Sequence, residues 1–268
     1  MCQSNRSSLR VGIPIFQSNE PLVDLHSHIL PGVDDGARND DQALDMLRAA
    51  EADGIDIIAA TPHAHHVNAA RILDGVERLQ QLAANAGLVI EIVPGHEARL
   101  APDLVDRYGR QDLIPINHTS YQLVELHLFE EWPKDLVERS IGRIQAVGLI
   151  PLLAHPERYP VIQRDPGWLE ILIERGILMQ INSHSLTGYH GAEAQETAEL
   201  LIQRRLAHVI ASDSHSPGRR RPAIRVALER AAEIAGADYA GKLVANAASI
   251  VRGKEVQVAV PALVEKRS

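Results

Sequence analysis

The chain has 268 residues, 45% hydrophobic and 23% charged, the balance of a globular protein with one large domain or two small ones. A formal charge of -8, from 27 Lys and Arg against 35 Asp and Glu, argues against a surface built to coat nucleic-acid phosphates or an anionic bilayer, so any bound anion must be handled locally. Apolar runs fall far short of the roughly 20 residues of a membrane-spanning helix, and nothing near Met1 resembles a secretory h-region, so a soluble, cytoplasmic protein with no membrane insertion is expected.

Residues 1–20 are polar and are expected to form a disordered leader, with a single domain over residues 21–268. The first strand is predicted over residues 22–25. Asn39 with Gln42 then reads as a capping box, and Leu44, Leu47 and Ala50 repeat at helical spacing up to the stop at Gly54. Further strands are predicted over 55–60, 88–93, 121–126, 149–154, 177–181 and 208–212. Helices fall between or after them over 69–86, 134–147, 166–175, 192–205 and 222–235. Seven strands alternating with helices indicate βα repeats around a parallel sheet.

In such folds ligands bind at the carboxyl ends of the strands, and each predicted strand ends in His, Asp or Glu. The segments in order are Asp24-Leu25-His26-Ser27-His28, Thr61-Pro62-His63, Gly95-His96-Glu97, Glu125-Leu126-His127, His155-Pro156-Glu157-Arg158, Asn182-Ser183-His184 and Ser212-Asp213-Ser214-His215. One such residue is ordinary in an exposed loop, but placement at all seven ends is not readily chance. His26 and His28, two apart, point to the same face and can grip one ion, and Asp213 and His215 repeat that spacing. The lone cysteine, Cys2, excludes an intrachain disulfide and a Cys-rich zinc site, so any metal is held by His, Asp and Glu. A set this large suits more than one ion, as in clusters that stabilise the attacking and leaving oxygens of phosphoryl transfer.

His26-x-His28, Asp34-Asp35-Gly36, Thr61-Pro62-His63, Glu97, His155-Pro156-Glu157-Arg158-Tyr159 and Ser212-Asp213-x-His215 together resemble the PHP (polymerase and histidinol phosphatase) superfamily. Residues 24–36 are more closely similar to bacterial protein-tyrosine phosphatases encoded with capsular and exopolysaccharide genes. That resemblance, running from about Val23 to about Val251, implies an α/β fold, a distorted (β/α)7 barrel, with three divalent metal ions, Mn or else Fe or Zn. Carried over, it implies that His26, His28, Glu97 and Asp213 hold one ion. Glu97 would bridge to a second held by Glu125 and His155, while Asp35, His63 and His215 would hold the third. It further implies phosphate contacts from Arg158 and from one of Arg219, Arg220 and Arg221, of which Arg221, directly before Pro222, matches best. The expected substrate is a phosphotyrosine-bearing protein such as a cognate tyrosine kinase. A histidinol-phosphatase-like or other small-molecule phosphoesterase is the alternative on the same ions.

His96, His127 and His184 read as neighbours of the ligands, His65 and His66 as residues of a loop at the mouth, and His118, His190 and His208 as structural or exposed. Gly236 to Lys242 nearly spells a P-loop, but Leu243 stands where Ser or Thr must reach Mg²⁺. No arginine follows Cys2 by six residues, since Ser8 stands there, and no Gly-x-Ser-x-Gly elbow occurs, so water is the expected nucleophile.

Overall fold

The computed structural model describes residues 20–128 and 132–256, so the expected leader lies outside the described residues except for Glu20. Among the described residues there are eight strands: β1 (Val23–Ser27), β2 (Ile57–Ala60), β3 (Glu91–Pro94), β4 (Glu97–Arg99), β5 (Tyr121–Glu125), β6 (Ile150–Ala154), β7 (Leu178–Asn182) and β8 (Val209–Ala211). All are paired in parallel, in one sheet of order β1-β2-β3 and another of order β4-β5-β6-β7-β8.

The expectation of seven strands is corrected at the third. It runs later than residues 88–93 and breaks in two, β3 pairing with β2 and β4 with β5. The break falls at Gly95 and His96, where the chain passes close to its neighbours: a Cβ on Gly95 would stand 3.0 Å from Thr61 Cγ2 and 3.4 Å from Ile116 Cα. Isolated parallel bridges, Ser27 with Ser214 and His63 with Glu97, link the two sheets. At the first of these seams the His28 amide donates to the Ser214 carbonyl at 2.8 Å and the Asp213 amide to the His26 carbonyl at 2.9 Å.

The helices follow the period of the sequence. In α1 (Asp40–Asp53) the Asn39 side chain accepts from the Gln42 amide, and Gly54 ends the helix at φ 88. The other half of the expected box is displaced by one residue, Gln42 Oε1 accepting from the Arg38 amide. Period-two alternation in the strands divides the core into two layers. Ala59, Leu123, Leu152, Leu178 and Val209 face an inner cluster, whereas Ile58, Val124, Leu153, Met179 and Ile210 pack outward against the helices.

Among the described residues, Leu104–Gly109, Pro160–Arg164, Ser183–Leu186 and a longer helix, α2 (Ala237–Val251), form helices beyond those expected. The last of these, α2, places Ala247, Ala248, Ile250 and Val251 in the inner cluster. Asn117 Nδ2 donates to its Val251 carbonyl, and its Asn246 Nδ2 donates to the His208 carbonyl. Asn117 and His208 precede β5 and β8, so α2 covers the amino ends of the strands and leaves the carboxyl ends for chemistry.

Candidate metal centre

The carboxyl ends of β1, β5, β6 and β8, together with β4 and the loops after β1 and β2, bring the expected ligands together around Glu97. This carboxylate is buried and meets four imidazoles. His155 Nε2 lies 3.1 Å and His26 Nε2 3.3 Å from Oε1, while His63 Nδ1 lies 2.9 Å and His28 Nε2 3.4 Å from Oε2. Three groups of donor atoms gather within 4.8 Å: His28, Asp35, His63 and His215; His26, His28 and Asp213; and His63, Glu97 and Glu125. The partition differs from the expected one in that His28 and His63 are each shared between groups. His155 approaches Glu97 without joining Glu125.

Local structure aims these side chains. The turn at Asp34-Asp35-Gly36 folds tightly under β1, and a Cβ on Gly36 would collide with the His28 carbonyl. The two aspartates consequently part. The Asp35 carboxylate lies 3.4 Å from His215 Nε2 and 3.6 Å from His63 Nε2. Asp34 turns beneath, accepting from His28 Nδ1 at 2.7 Å, the His63 amide at 3.1 Å and the Gly36 amide at 3.1 Å. At the ends of β6 and β8, His155 (φ 36) and Asp213 (φ 51) adopt the left-handed conformation, a strain of roughly 1–3 kcal/mol each that turns both side chains into the cluster.

The electrostatics fit cations. Burial would lower His28, but Asp34 outweighs it and holds the ring up at about 10. Burial is likewise outweighed at His63 by Glu125 and Glu97, which hold it up at about 11. Burial would raise Glu97, and His26 and His155 instead keep it well below the usual carboxylate range. Among the described residues His155 Nδ1 is buried without a hydrogen-bond partner, and His63 Nδ1 and Glu125 Oε1, though 3.3 Å apart and with His63 Nδ1 2.9 Å from Glu97 Oε2, form no well-aligned hydrogen bond. His28 Nε2 faces His26 Nε2 at 3.3 Å, an arrangement suited to lone pairs converging on an ion. The residues therefore fit divalent metals by donor type, burial and unmet valence.

Above the cluster opens a cavity of about 170 Å³ whose lining includes Arg99, His127, Leu128, Arg158 and Arg220. Asp213 divides its oxygens between floor and wall. Oδ1 stands 3.5 Å from His26 Nε2 and 3.4 Å from His215 Nδ1, while Oδ2 accepts from Asn182 Nδ2 at 2.8 Å and Arg158 Nη1 at 3.1 Å and pairs with Arg220 Nη2 at 2.9 Å. Arg221, the expected choice, stands outside this wall. Its side chain is exposed and does not line the cavity, and only its carbonyl is engaged, accepting from His184 Nε2. Arg220 takes the inward place because its carbonyl accepts the His215 and Ser216 amides, folding the loop back over Asp213.

Among the other histidines, His96 is buried away from the cluster, its Nδ1 accepting from the Ile114 amide and its Nε2 donating to the Val67 carbonyl. His65 and His66 are exposed, their rings 5.2 Å and 6.1 Å from that of His63. Two residues outside the expected set matter more. Gln180 and Asn182, buried on β7, share the inward face of Leu178. Gln180 Oε1 accepts from His26 Nδ1 at 2.9 Å, leaving Nε2 of that ring toward the cluster, while Asn182 holds Asp213.

A sequence profile for the family described as capsular polysaccharide synthesis, CpsB/CapC, matches residues 22–252. The tyrosine-protein phosphatase YwqE of Bacillus subtilis (strain 168) is 31% identical over 252 residues, covering 92% of this chain and 98% of that protein. The tyrosine-protein phosphatase CpsB of Streptococcus pneumoniae is 25% identical over 231 residues, covering 83% and 94%. A crystal structure from work on YwqE and CpsB, described there as metal-dependent tyrosine phosphatases, superposes with a TM-score of 0.86 at 30% identity, covering 91% of this chain and all of that one. A lactonase of Listeria monocytogenes, at 13% identity and a TM-score of 0.54, shares the fold alone. With the profile spanning nearly all the described residues and a relative 31% identical over 92% of the chain, this chain belongs to the capsular polysaccharide synthesis CpsB/CapC family.

Proposed function

We propose that this chain is a cytoplasmic, metal-dependent protein-tyrosine phosphatase whose substrate is a phosphotyrosine-bearing protein, a tyrosine kinase of capsule or exopolysaccharide synthesis being the fitting partner. The observation that carries the reading is the convergence of four imidazoles on buried Glu97 directly beneath two arginines. We read the two sheets as one distorted (β/α)7 barrel, with the described residues forming a single domain. The names and activities of the relatives support the same assignment.

His26, His28, Asp35, His63, Glu97, Glu125, His155, Asp213 and His215 are the candidate ligands, enough for three divalent ions, with Mn the expected metal and Fe or Zn also matched by the donors. Such ions would supply charge neutralisation, Lewis acidity and a water of lowered pKa. The chain's own contribution is positional. Arg158 and Arg220 stand on one wall, held over the floor by Asp213, and a guanidinium there presents paired donors to phosphate oxygens. Gln180 and Asp34 fix the two imidazoles of β1 from behind. A phenol leaves with a pKa near 10, so the tyrosyl ester needs little help from a general acid.

The test is direct. Exhaustive chelation should abolish hydrolysis of a phosphotyrosyl peptide and Mn²⁺ should restore it, with kcat/KM exceeding that for histidinol phosphate. Full activity in demetallated protein, or preference for the alkyl ester, overturns the reading.

A further inference from the structure

The cavity above the cluster does not end at the phosphate. Arg99, last residue of β4, lines it and also lines a second cleft of about 210 Å³ walled by Ala64, His65, Ala98, Leu104 and Arg107. The two depressions therefore share Arg99. The three arginines of the first cavity differ in how they are held. Arg158 and Arg220 are engaged by the Asp213 carboxylate. Arg99 has only a loose approach, Nε to Glu125 Oε1 at 3.7 Å, with Nε buried and without a hydrogen-bond partner while the side chain is 38% exposed. Arg107, half-buried in the wall of the second cleft, donates to the Ala64 carbonyl.

We propose that Arg99 and this second cleft form a subsite for an acidic side chain, aspartate or glutamate, flanking the phosphotyrosine of the substrate. The inference rests on the phosphotyrosyl reading and adds the sequence context that the reading lacks. The chemistry is specific. The cleft has an apolar floor from Ala98, Ala101, Leu104 and Leu113 that suits the methylene stem of such a residue. The cleft's own lining carries two guanidinium groups, Arg99 and Arg107, against one carboxylate, Asp103, with Glu125 approaching Arg99 only loosely from the side of the first cavity, on a chain of net charge -8. An acidic flank brought there gains a charge-assisted partner that its neighbours on the surface do not offer. Arg99 lines the cleft together with Ala64 and His65 of the loop after β2.

The experiment uses the Mn²⁺-loaded full chain and three phosphotyrosyl peptides differing only in residues next to the phosphotyrosine: glutamate, glutamine or lysine. At low ionic strength the unaltered protein should favour glutamate over lysine about 3- to 5-fold in kcat/KM, as expected of a partly exposed ion pair, and added salt should shrink the ratio. The difference should lie in KM. Arg99→Met should bring the ratio to about one, and Arg99→Glu should invert it, a gain for the lysine peptide that a damaged fold cannot imitate. A ratio of one in the unaltered protein, or a ratio that survives Arg99→Met and Arg99→Glu, overturns the subsite while leaving the phosphatase reading intact. Failure to hydrolyse any of the three overturns both.

Discussion

Two sets of histidines, shielded from solvent to different degrees, are held in opposite ways. His96 and His208 answer to the backbone: Nδ1 of each accepts an amide hydrogen, from Ile114 and Met179 respectively, and burial pushes both rings down to about 4. His28 is buried and His63 half-buried, yet their carboxylate neighbours outweigh burial and hold them at about 10 and 11. Depth alone therefore does not decide what a histidine does. The first set is made of neutral rings that complete a hydrogen-bonded core, whereas the second belongs to a field that demands positive charge. The same field attracts divalent cations, and here it arises where strand ends bring several carboxylates together.

The sharpest way to break this contrast is to remove the carboxylate at its centre. Glu97→Ala should lower metal stoichiometry and reduce kcat by about 10³-fold or more, the loss of several kcal/mol of charge stabilisation. His184→Ala deletes a ring whose Nε2 only donates to the Arg221 carbonyl, so stoichiometry should stay intact. Metal analysis beside steady-state kinetics decides it, and equal metal loss from both changes would mean that the cluster is wrongly drawn.

A smaller effect is expected one layer up. Arg158→Ala should cut kcat/KM for an aryl phosphate by about 10²-fold with metals retained, and Arg158→Lys should recover part of it. Because Arg158 also pairs with Asp213, melting temperature must be followed together with kinetics. Near-native turnover with a depressed melting temperature would reduce Arg158 to a brace for Asp213.

Smaller again is the effect of the residues behind the ligands. Gln180→Leu removes the acceptor for His26 Nδ1 and should weaken metal affinity by about 10- to 100-fold, while Gln180→Glu, which keeps an acceptor, should restore it. Competition against a chromophoric chelator measures this without turnover. Unchanged affinity in the leucine variant would show that His26 is oriented by packing alone.

Much of this was legible in the sequence because period-two and period-3.6 patterns report which face is buried, and because strand ends in parallel folds carry the ligands. The α1 stop at Gly54 and all nine candidate ligands were read that way or from resemblance. What escaped depends on tertiary context. A three-residue strand such as β4 is too short to show a period, and its separation from β3 is set by close approach at Gly95 rather than by composition. Helix α2 reads as an alanine-rich stretch with no outward sign that it covers the amino ends of the strands. Among three consecutive arginines, the inward one is chosen by how the loop folds over Asp213. Gln180 and Asn182 did leave a trace: two polar side chains at alternate positions of an apolar strand are costly to bury unless each has a partner.

The last and smallest effect tests the neutral set. His208 Nδ1 accepts from the Met179 amide, so a second proton there would set donor against donor in a buried place. Burial accordingly lowers the ring to about 4, whereas the unfolded chain titrates near 6.5. The sign follows from linkage. A depressed value means that the unfolded state takes up the proton first, so the stability contribution is full above pH 6.5 and is lost as pH falls from 6.5 toward 4. Between pH 7.5 and 5.5 this amounts to about 1 kcal/mol. His208→Asn keeps an acceptor close to the position of Nδ1 but cannot be protonated. Its urea-unfolding free energy should be lower than that of the unaltered chain at pH 7.5, through lost packing, and should close on it by about 1 kcal/mol at pH 5.5. The cluster histidines titrate equally in both proteins and cancel in the difference. A gap that stays constant across this range would mean that His208 carries no proton linkage, and that burial with a backbone donor is not what separates the two sets.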